Sequence, residues 1–328
     1  MTILLTGAAG FIGYHVAEAL LGRGEWVVGL DSLTDYYDPA LKRVRRARLE
    51  RHGGFVFHEV DIAERPALES LISAEPGIDR VVHLAAQAGV RYSLENPDAY
   101  LRSNVAGQLA VLEACRRLPK LEHLVYASSS SVYGGNHKLP FAVEDRVDRP
   151  VSLYAATKRA GELMAHTYAH LFGLPATGLR FFTVYGPWGR PDMAYYSFTR
   201  AIFEGTPIRV FNRGDMKRDF TEIDDIVAGV LAALERPPAP GDADDGVPHR
   251  LYNLGNHRAE PLLRFIEVLE RTCGREAEKI LEPMQSGDVR ETYADITGAA
   301  RDLGFAPKTT IEEGLPRFVA WFRDYHGV

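Results

Sequence analysis

The chain has 328 residues, 46% apolar and 25% charged, with a net charge of −6. Such a length supports a substantial core in two lobes, and the acidic balance excludes a global attraction to nucleic acid or to an anionic membrane. Two cysteines without metal-ligand spacing exclude a disulfide framework, and with neither a leader pattern nor an apolar run of spanning length the cytoplasm is the expected location.

The first expected element is a short apolar strand from Thr2 to Thr6. It runs into Gly7-Ala-Ala-Gly10-Phe11-Ile12-Gly13 and a helix near 11–22. Backbone N–H groups at such a turn, with a helix N-terminus behind them, can receive a pyrophosphate. Gly7 allows the turn, Gly10 the close approach of phosphates, and Gly13 the packing of helix on strand. A second strand from Trp26 to Leu30 ends in Asp31, whose carboxylate suits the ribose hydroxyls of an adenosine and repels a 2′-phosphate, so NAD is expected rather than NADP. The basic run Lys42-Arg-Val-Arg-Arg-Ala-Arg48, in a helix near 40–51, is expected to form a solvated face with one charge in reach of the adenine ribose.

Further strands are predicted at Phe55 to Val60, Arg80 to Leu84, Glu122 to Ala127 and Ala176 to Phe181, with helices near 65–74, 98–117 and 152–172. This alternation implies right-handed crossovers and ligands at the carboxyl ends of the strands. The expected fold is α/β, a doubly wound parallel (Rossmann) sheet over 1–182. A smaller C-terminal substrate-binding lobe takes most of 183–328, with parts of 220–254 packing back on the sheet. A serine run, Ser128 to Ser131, follows one strand and so falls at the edge of the crevice. Tyr154 and Lys158 stand four apart on a helix and share one face. A phenol of pKa about 10 is a poor base, and a neighbouring ammonium favours its phenolate. His166 and His170 stand one turn apart with no third ligand in register, so no metal is expected. Residues 236–248 are expected to form a surface loop.

Gly7-Ala-Ala-Gly-Phe-Ile-Gly13, Asp31, Asp61-Ile62, His83-Leu84-Ala85-Ala86-Gln87, Ser128 to Gly134, Tyr154-x-x-x-Lys158 and Arg218-Asp-Phe resemble the extended short-chain dehydrogenase/reductases, and within them the nucleotide-sugar epimerases, over essentially the whole chain. Asp35-Tyr-Tyr-Asp-Pro39, Ala88-Gly-Val-Arg91-Tyr-Ser93 and Arg180 to Met193 are most similar to the members that act on UDP-glucuronate. The resemblance implies 4-epimerisation through a transient 4-keto sugar on a recycled NAD. Tyr154 would be the acid/base, Lys158 the group that lowers its pKa and binds the nicotinamide ribose, and Ser129 the third catalytic hydroxyl, flanked by Ser128 and Ser130. Asp61 and Ile62 would border the adenine and Leu84 to Gln87 the middle of the cofactor, with Asn104 a structural hydrogen bonder. Gln87 and Arg91 are expected beside the substrate, Thr183 and Arg190 on a uronic carboxylate, and Arg218 and Arg290 on the UDP diphosphate. UDP-glucose/galactose epimerisation and uronate decarboxylation stay open on this scaffold. Dehydration does not fit, because Ser130 and Ser131 stand where similar dehydratases carry Asp-Glu. A cofactor-bound regulatory protein would not need the Tyr154–Lys158 pair. Pairing of the helices near 98–117 and 152–172 with their copies would give a homodimer, as in related enzymes.

Overall fold

A computed structural model describes residues 1–241, 245–285 and 289–328. Seven parallel strands form the central sheet: β1 (Thr2–Thr6), β2 (Trp26–Asp31), β3 (Phe55–Glu59), β4 (Arg80–His83), β5 (His123–Ser129), β6 (Ala176–Phe181) and β7 (His249–Leu254). Their spatial order is β3-β2-β1-β4-β5-β6-β7, so the winding reverses between β1 and β4 and opens a crevice above their carboxyl ends. Ile3, Leu4 and Leu5 of β1, Val81 and Val82 of β4 and Leu124 and Val125 of β5 are all buried, as strands covered on both faces require.

Helices Phe11–Gly22 and Ile223–Leu234 pack together on one face of the sheet through residues that include Val16, Leu20, Ile226 and Val230. Helices Arg65–Ala74, Gly107–Arg117 and Leu153–Phe172 cover the other face. The chain therefore returns to the sheet after residue 182, with one helix and the edge strand β7, which pairs with β6 from His249 opposite Ala176 to Leu254 opposite Phe181.

A second core lies beyond the carboxyl edge. Helices Ala194–Glu204, Leu262–Cys273 and Ile311–His326 enclose Tyr195, Phe265, Leu269, Leu315 and Phe318. The short strand Thr183–Tyr185 pairs with Phe220–Glu222 and carries the chain from β6 into this lobe.

Two expectations change. The helix near 98–117 is not uniform: Pro97–Tyr100 leads into a π-helical stretch, Leu101–Ala106, before Gly107–Arg117. The basic run is not simply a solvated face. In the helix Ala40–Leu49, Lys42 and Arg45 stand three apart and point inward, 6% and 0% exposed, whereas Arg46 faces out to Glu50 and Glu59. Of the loop expected over 236–248, residues 242–244 lie outside the described residues. Among the described residues no helix is long and apolar enough to cross a membrane, and no cluster of three metal-ligating side chains occurs. His166 packs edge-on against His249.

Candidate active site

The dinucleotide end is shaped by backbone. Gly7 and Ala8 N–H donate to the Leu30 carbonyl at 2.7 and 3.0 Å, folding the turn over the end of β2. A Cβ on Gly13 would stand 2.0 Å from the Gly7 carbonyl oxygen, so only glycine lets the helix come this close. Gly10 caps that helix without a side-chain bond, which leaves its first N–H groups open to an anion. Asp31 accepts from Ala9 N–H at 3.1 Å and Leu33 N–H at 2.9 Å, and Lys42 Nζ donates to the Thr34 carbonyl and hydroxyl, each at 2.8 Å. Burial pushes the Asp31 carboxyl upward, opposed by the Lys42 charge and those two backbone bonds. An uncapped helix end, a cradle that any Cβ would fill and a carboxylate at the second strand fit a dinucleotide.

The chemical end lies where β5 meets the helix Leu153–Phe172. Ser152 caps this helix by accepting from Ala155 N–H at 3.1 Å, which sets Tyr154 and Lys158 in its first two turns. Burial holds the Tyr154 phenol above its ordinary value, and a hydrogen bond with Ser129 and the charge of Arg190 work against that. Lys158 Nζ donates to the Ala127 carbonyl at 3.0 Å, and burial lowers its pKa to about 8, resisted by Glu162. The charge of Arg190 thus acts on the phenol in this structure. Ser129 Oγ accepts from Ser131 N–H at 3.2 Å, and Ser128 Oγ donates to Glu162 at 2.6 Å. From the π-helical stretch, Asn104 Nδ2 donates to the Gln87 carbonyl at 2.9 Å and to Thr157 Oγ1 at 3.1 Å, while its oxygen accepts from Gln87 N–H at 2.8 Å.

One cavity of about 1060 Å³ joins these ends to the second lobe. Its wall brings together Gly7, Gly10, Phe11, Ile12, Gly13, Asp31, Ile62, Leu84, Ala85, Ala86, Gln87, Arg91, Ser128, Ser129, Ser130, Tyr154, Lys158, Thr183, Arg190 and Arg218. Arg91 lies over the Phe211 ring at 4.6 Å. Arg190 forks onto Asp192, at 3.2 Å from Nε and 2.8 Å from Nη2, and Tyr36 also donates to Asp192 at 3.2 Å. Asp61, Asn104 and Arg290 stand outside the lining. Asp61 is paired with Arg102 at 2.9 Å, and Arg290 with Asp215 at 2.8 Å. The Arg290 carbonyl accepts from Arg218 Nη1 at 3.2 Å; Gly287 and Asp288 of that motif lie outside the described residues.

Beneath the serines lies a charged pair that the sequence reading passed over. Arg180 meets Glu162 at 2.8 Å from Nε and 2.9 Å from Nη2, both side chains 1% exposed. Glu162 falls four residues after Lys158, a helical spacing that would have drawn attention to it. Tyr36 and Asp192, 156 residues apart, offered no such signal.

A crevice of this design, with a dinucleotide turn and a tyrosine beside a lysine, is that of the short-chain type of NAD-dependent enzyme. The profile of the NAD dependent epimerase/dehydratase family matches residues 3–255, and the chain belongs to that family. UDP-glucuronate 4-epimerase 3 of Arabidopsis thaliana is 50% identical over 333 residues, covering 99% of this chain and 77% of the plant protein. Protein CapI of Staphylococcus aureus is 47% identical over 99% of both chains. The crystal structure of UDP-glucuronic acid 4-epimerase from Bacillus cereus, in complex with UDP-glucuronic acid and NAD, matches with a TM-score of 0.90 at 35% identity, over 99% of this chain and 100% of that one.

Proposed function

We propose that this chain interconverts UDP-glucuronic acid and UDP-galacturonic acid by NAD-dependent 4-epimerisation through a transient 4-keto sugar. The observation that carries this reading is the placement of Tyr154, together with Ser129, Lys158 and Arg190, in the cavity that the glycine turn also lines. The full-length likeness to a UDP-glucuronate 4-epimerase at 50% identity supports the substrate. The glycine turn receives the pyrophosphate, Asp31 the adenosine ribose, and Lys158 the nicotinamide ribose. When bound, NAD supplies a hydride acceptor and donor for C4 of the sugar. Tyr154, as its phenolate, takes the proton of the 4-hydroxyl and as the phenol later returns it, and Ser129 holds the 4-oxygen.

Thr183 and Arg190 hold the sugar carboxylate, Arg190 exchanging its present fork on Asp192 for the uronate. A 4-keto uronate is a β-keto acid, which loses CO₂ when its C5–C6 bond stands perpendicular to the carbonyl plane. Fixing the carboxylate near that plane suppresses the loss. Arg218, braced by the Arg290 carbonyl, faces the diphosphate, with the second lobe supplying most of the nucleotide-sugar contacts and the sheet those to NAD. Leu101, Leu109 and Leu163, exposed on the packed helices of one face, support a homodimer there. Two free cysteines, Cys115 and Cys273, support a cytoplasmic location.

The test is incubation of the purified protein with UDP-glucuronate, UDP-glucose and UDP-xylose in turn, with anomeric protons followed by NMR. Conversion of the first to its galacto epimer, with the other two unchanged, is the expected result. Faster conversion of UDP-glucose would reassign the substrate.

A further inference from the structure

Arg190 belongs to a segment fastened to the sheet lobe by a neighbouring guanidinium that no catalytic reading uses. Arg45 is wholly buried. Its Nη1 donates to the Ala9 carbonyl at 2.9 Å and to the Tyr37 hydroxyl at 3.0 Å, and its Nη2 donates to the carbonyls of Trp188 and Gly189. Ala9 lies inside the dinucleotide turn. The peptides on either side of it are both held, since its N–H donates to Asp31 and its carbonyl accepts from Arg45. Trp188 and Gly189 immediately precede Arg190. One planar cation therefore spans three segments far apart in sequence: the phosphate-binding turn, the loop after β2, and the approach to Arg190.

The segment it grips does not rest there by default. Trp188 has φ of +59°, a left-handed conformation that a bulky side chain adopts only where surroundings hold it. A Cβ on Gly189 would stand 2.0 Å from the Tyr195 hydroxyl, so the backbone passes hard against the second lobe. His15 contacts the Pro187 carbonyl at 2.9 Å, and the Arg48 guanidinium lies over the Trp188 ring at 5.1 Å. Arg45 alone among these ties the segment to the turn itself. Its named acceptors are three carbonyls and a phenol, a set whose directions a guanidinium fork matches and a lysine ammonium, as a point charge, does not.

We propose that Arg45 is a positioning residue for recognition of the sugar acid: it locks the Pro187–Arg190 segment onto the dinucleotide turn, so that the guanidinium reading the sugar carboxylate is set in register with the cofactor. The proposal rests on the carboxylate reading of Arg190. It predicts that loss of Arg45 damages discrimination between a uronic acid and a neutral hexose, beyond any loss of stability.

The experiment uses NAD-loaded protein, with Arg45→Met and Arg45→Lys made alone and in an Arg190→Ala background. Dissociation constants for UDP-glucuronate and UDP-glucose are measured by calorimetry, and backbone hydrogen exchange is followed over residues 187–193. Arg45→Met is expected to weaken UDP-glucuronate about tenfold more than UDP-glucose, the size of one charge-assisted contact. It should add little further loss of discrimination when Arg190 is already Ala, and should speed exchange over 187–193. Arg45→Lys covers the case in which Met fails to fold, and should shift the ratio in the same direction. An equal loss for both sugars, a full additive loss of discrimination in the Arg190→Ala background, or unchanged exchange over 187–193 would overturn the proposal. If Arg190→Ala itself leaves the ratio unchanged, the carboxylate reading fails and the proposal with it. If Arg190→Ala shifts the ratio and the Arg45 variants do not, the proposal alone fails.

Discussion

Replacing Glu162 by Gln keeps the shape of the side chain and deletes its charge, leaving the Arg180 guanidinium buried opposite a neutral amide. In the native protein the two meet at 2.8 and 2.9 Å with 1% of each side chain exposed, so water cannot make up the loss. Removing one partner of such a pair costs about 3–5 kcal/mol. Against a typical stability of roughly 5–15 kcal/mol this is a large fraction, and it lowers the folded-to-unfolded ratio by about two to four powers of ten. The assay is urea unfolding of NAD-loaded protein, read by circular dichroism, across a pH series. Burial alone would raise the Glu162 carboxyl, but the hydrogen bonds and charge of Arg180 outweigh it and hold the pKa below its ordinary 4.5. The pair's contribution is therefore complete above pH 4.5 and is lost as the pH falls through the lower folded value. The stability gap between wild type and Glu162→Gln should narrow only in that acidic range. A companion variant, Glu162→Leu with Arg180→Met, removes both charges and should recover at least about 1 kcal/mol relative to Glu162→Gln. A gap below about 1 kcal/mol at pH 7, the size of a lone neutral hydrogen bond, would refute the reasoning.

Tyr154→Phe should retain fold and bound NAD but lose about 10²-fold or more in kcat, and near-normal turnover would remove Tyr154 from its role. Asp31→Ala should weaken NAD and relax discrimination against NADP in equilibrium titrations; unchanged affinities for both would place ribose recognition elsewhere. Arg190→Ala should weaken UDP-glucuronate far more than UDP-glucose and raise the UDP-pentose released per turnover, while equal weakening with no pentose would exclude the carboxylate clamp. Burial sets the Lys158 pKa near 8, so its ammonium is present below that pH and lost above it. The rate should accordingly fall as pH rises past about 8, with the alkaline limb displaced upward in Lys158→Arg; an identical limb in that variant would assign it to another group.

The glycine turn, Asp31 and the Tyr154–Lys158 spacing were legible because each is a local pattern whose geometry follows from a few residues. The strands of the sheet were legible down to small boundary shifts, since doubly buried strands read as apolar runs. β7 was anticipated only as part of the 220–254 stretch returning to the sheet and not as a strand: His249-Arg-Leu-Tyr-Asn-Leu254 is short and mixed, and its place beside β6 depends on a helix returning from beyond residue 182. The π-helical stretch left no trace in composition, although it is from there that Asn104 reaches Gln87 and Thr157. The inward turn of Lys42 and Arg45 was obscured because every neighbour in the run is also basic, and only tertiary contacts distinguish the buried members. Arg45 to Trp188 and Tyr36 to Asp192 join segments more than 140 residues apart, a distance at which one sequence carries no pairing signal.

The central claim, hydride removal from C4 and its return to the same carbon, is tested most directly by isotope retention. UDP-glucuronate carrying deuterium at C4 is incubated with the purified protein in ordinary water, without added NAD, and the product is analysed by NMR and mass spectrometry. The account predicts UDP-galacturonate with the deuterium still at C4 and no accumulated keto sugar. Epimerised product carrying solvent hydrogen at C4, or no epimerised product from NAD-loaded protein, would contradict it.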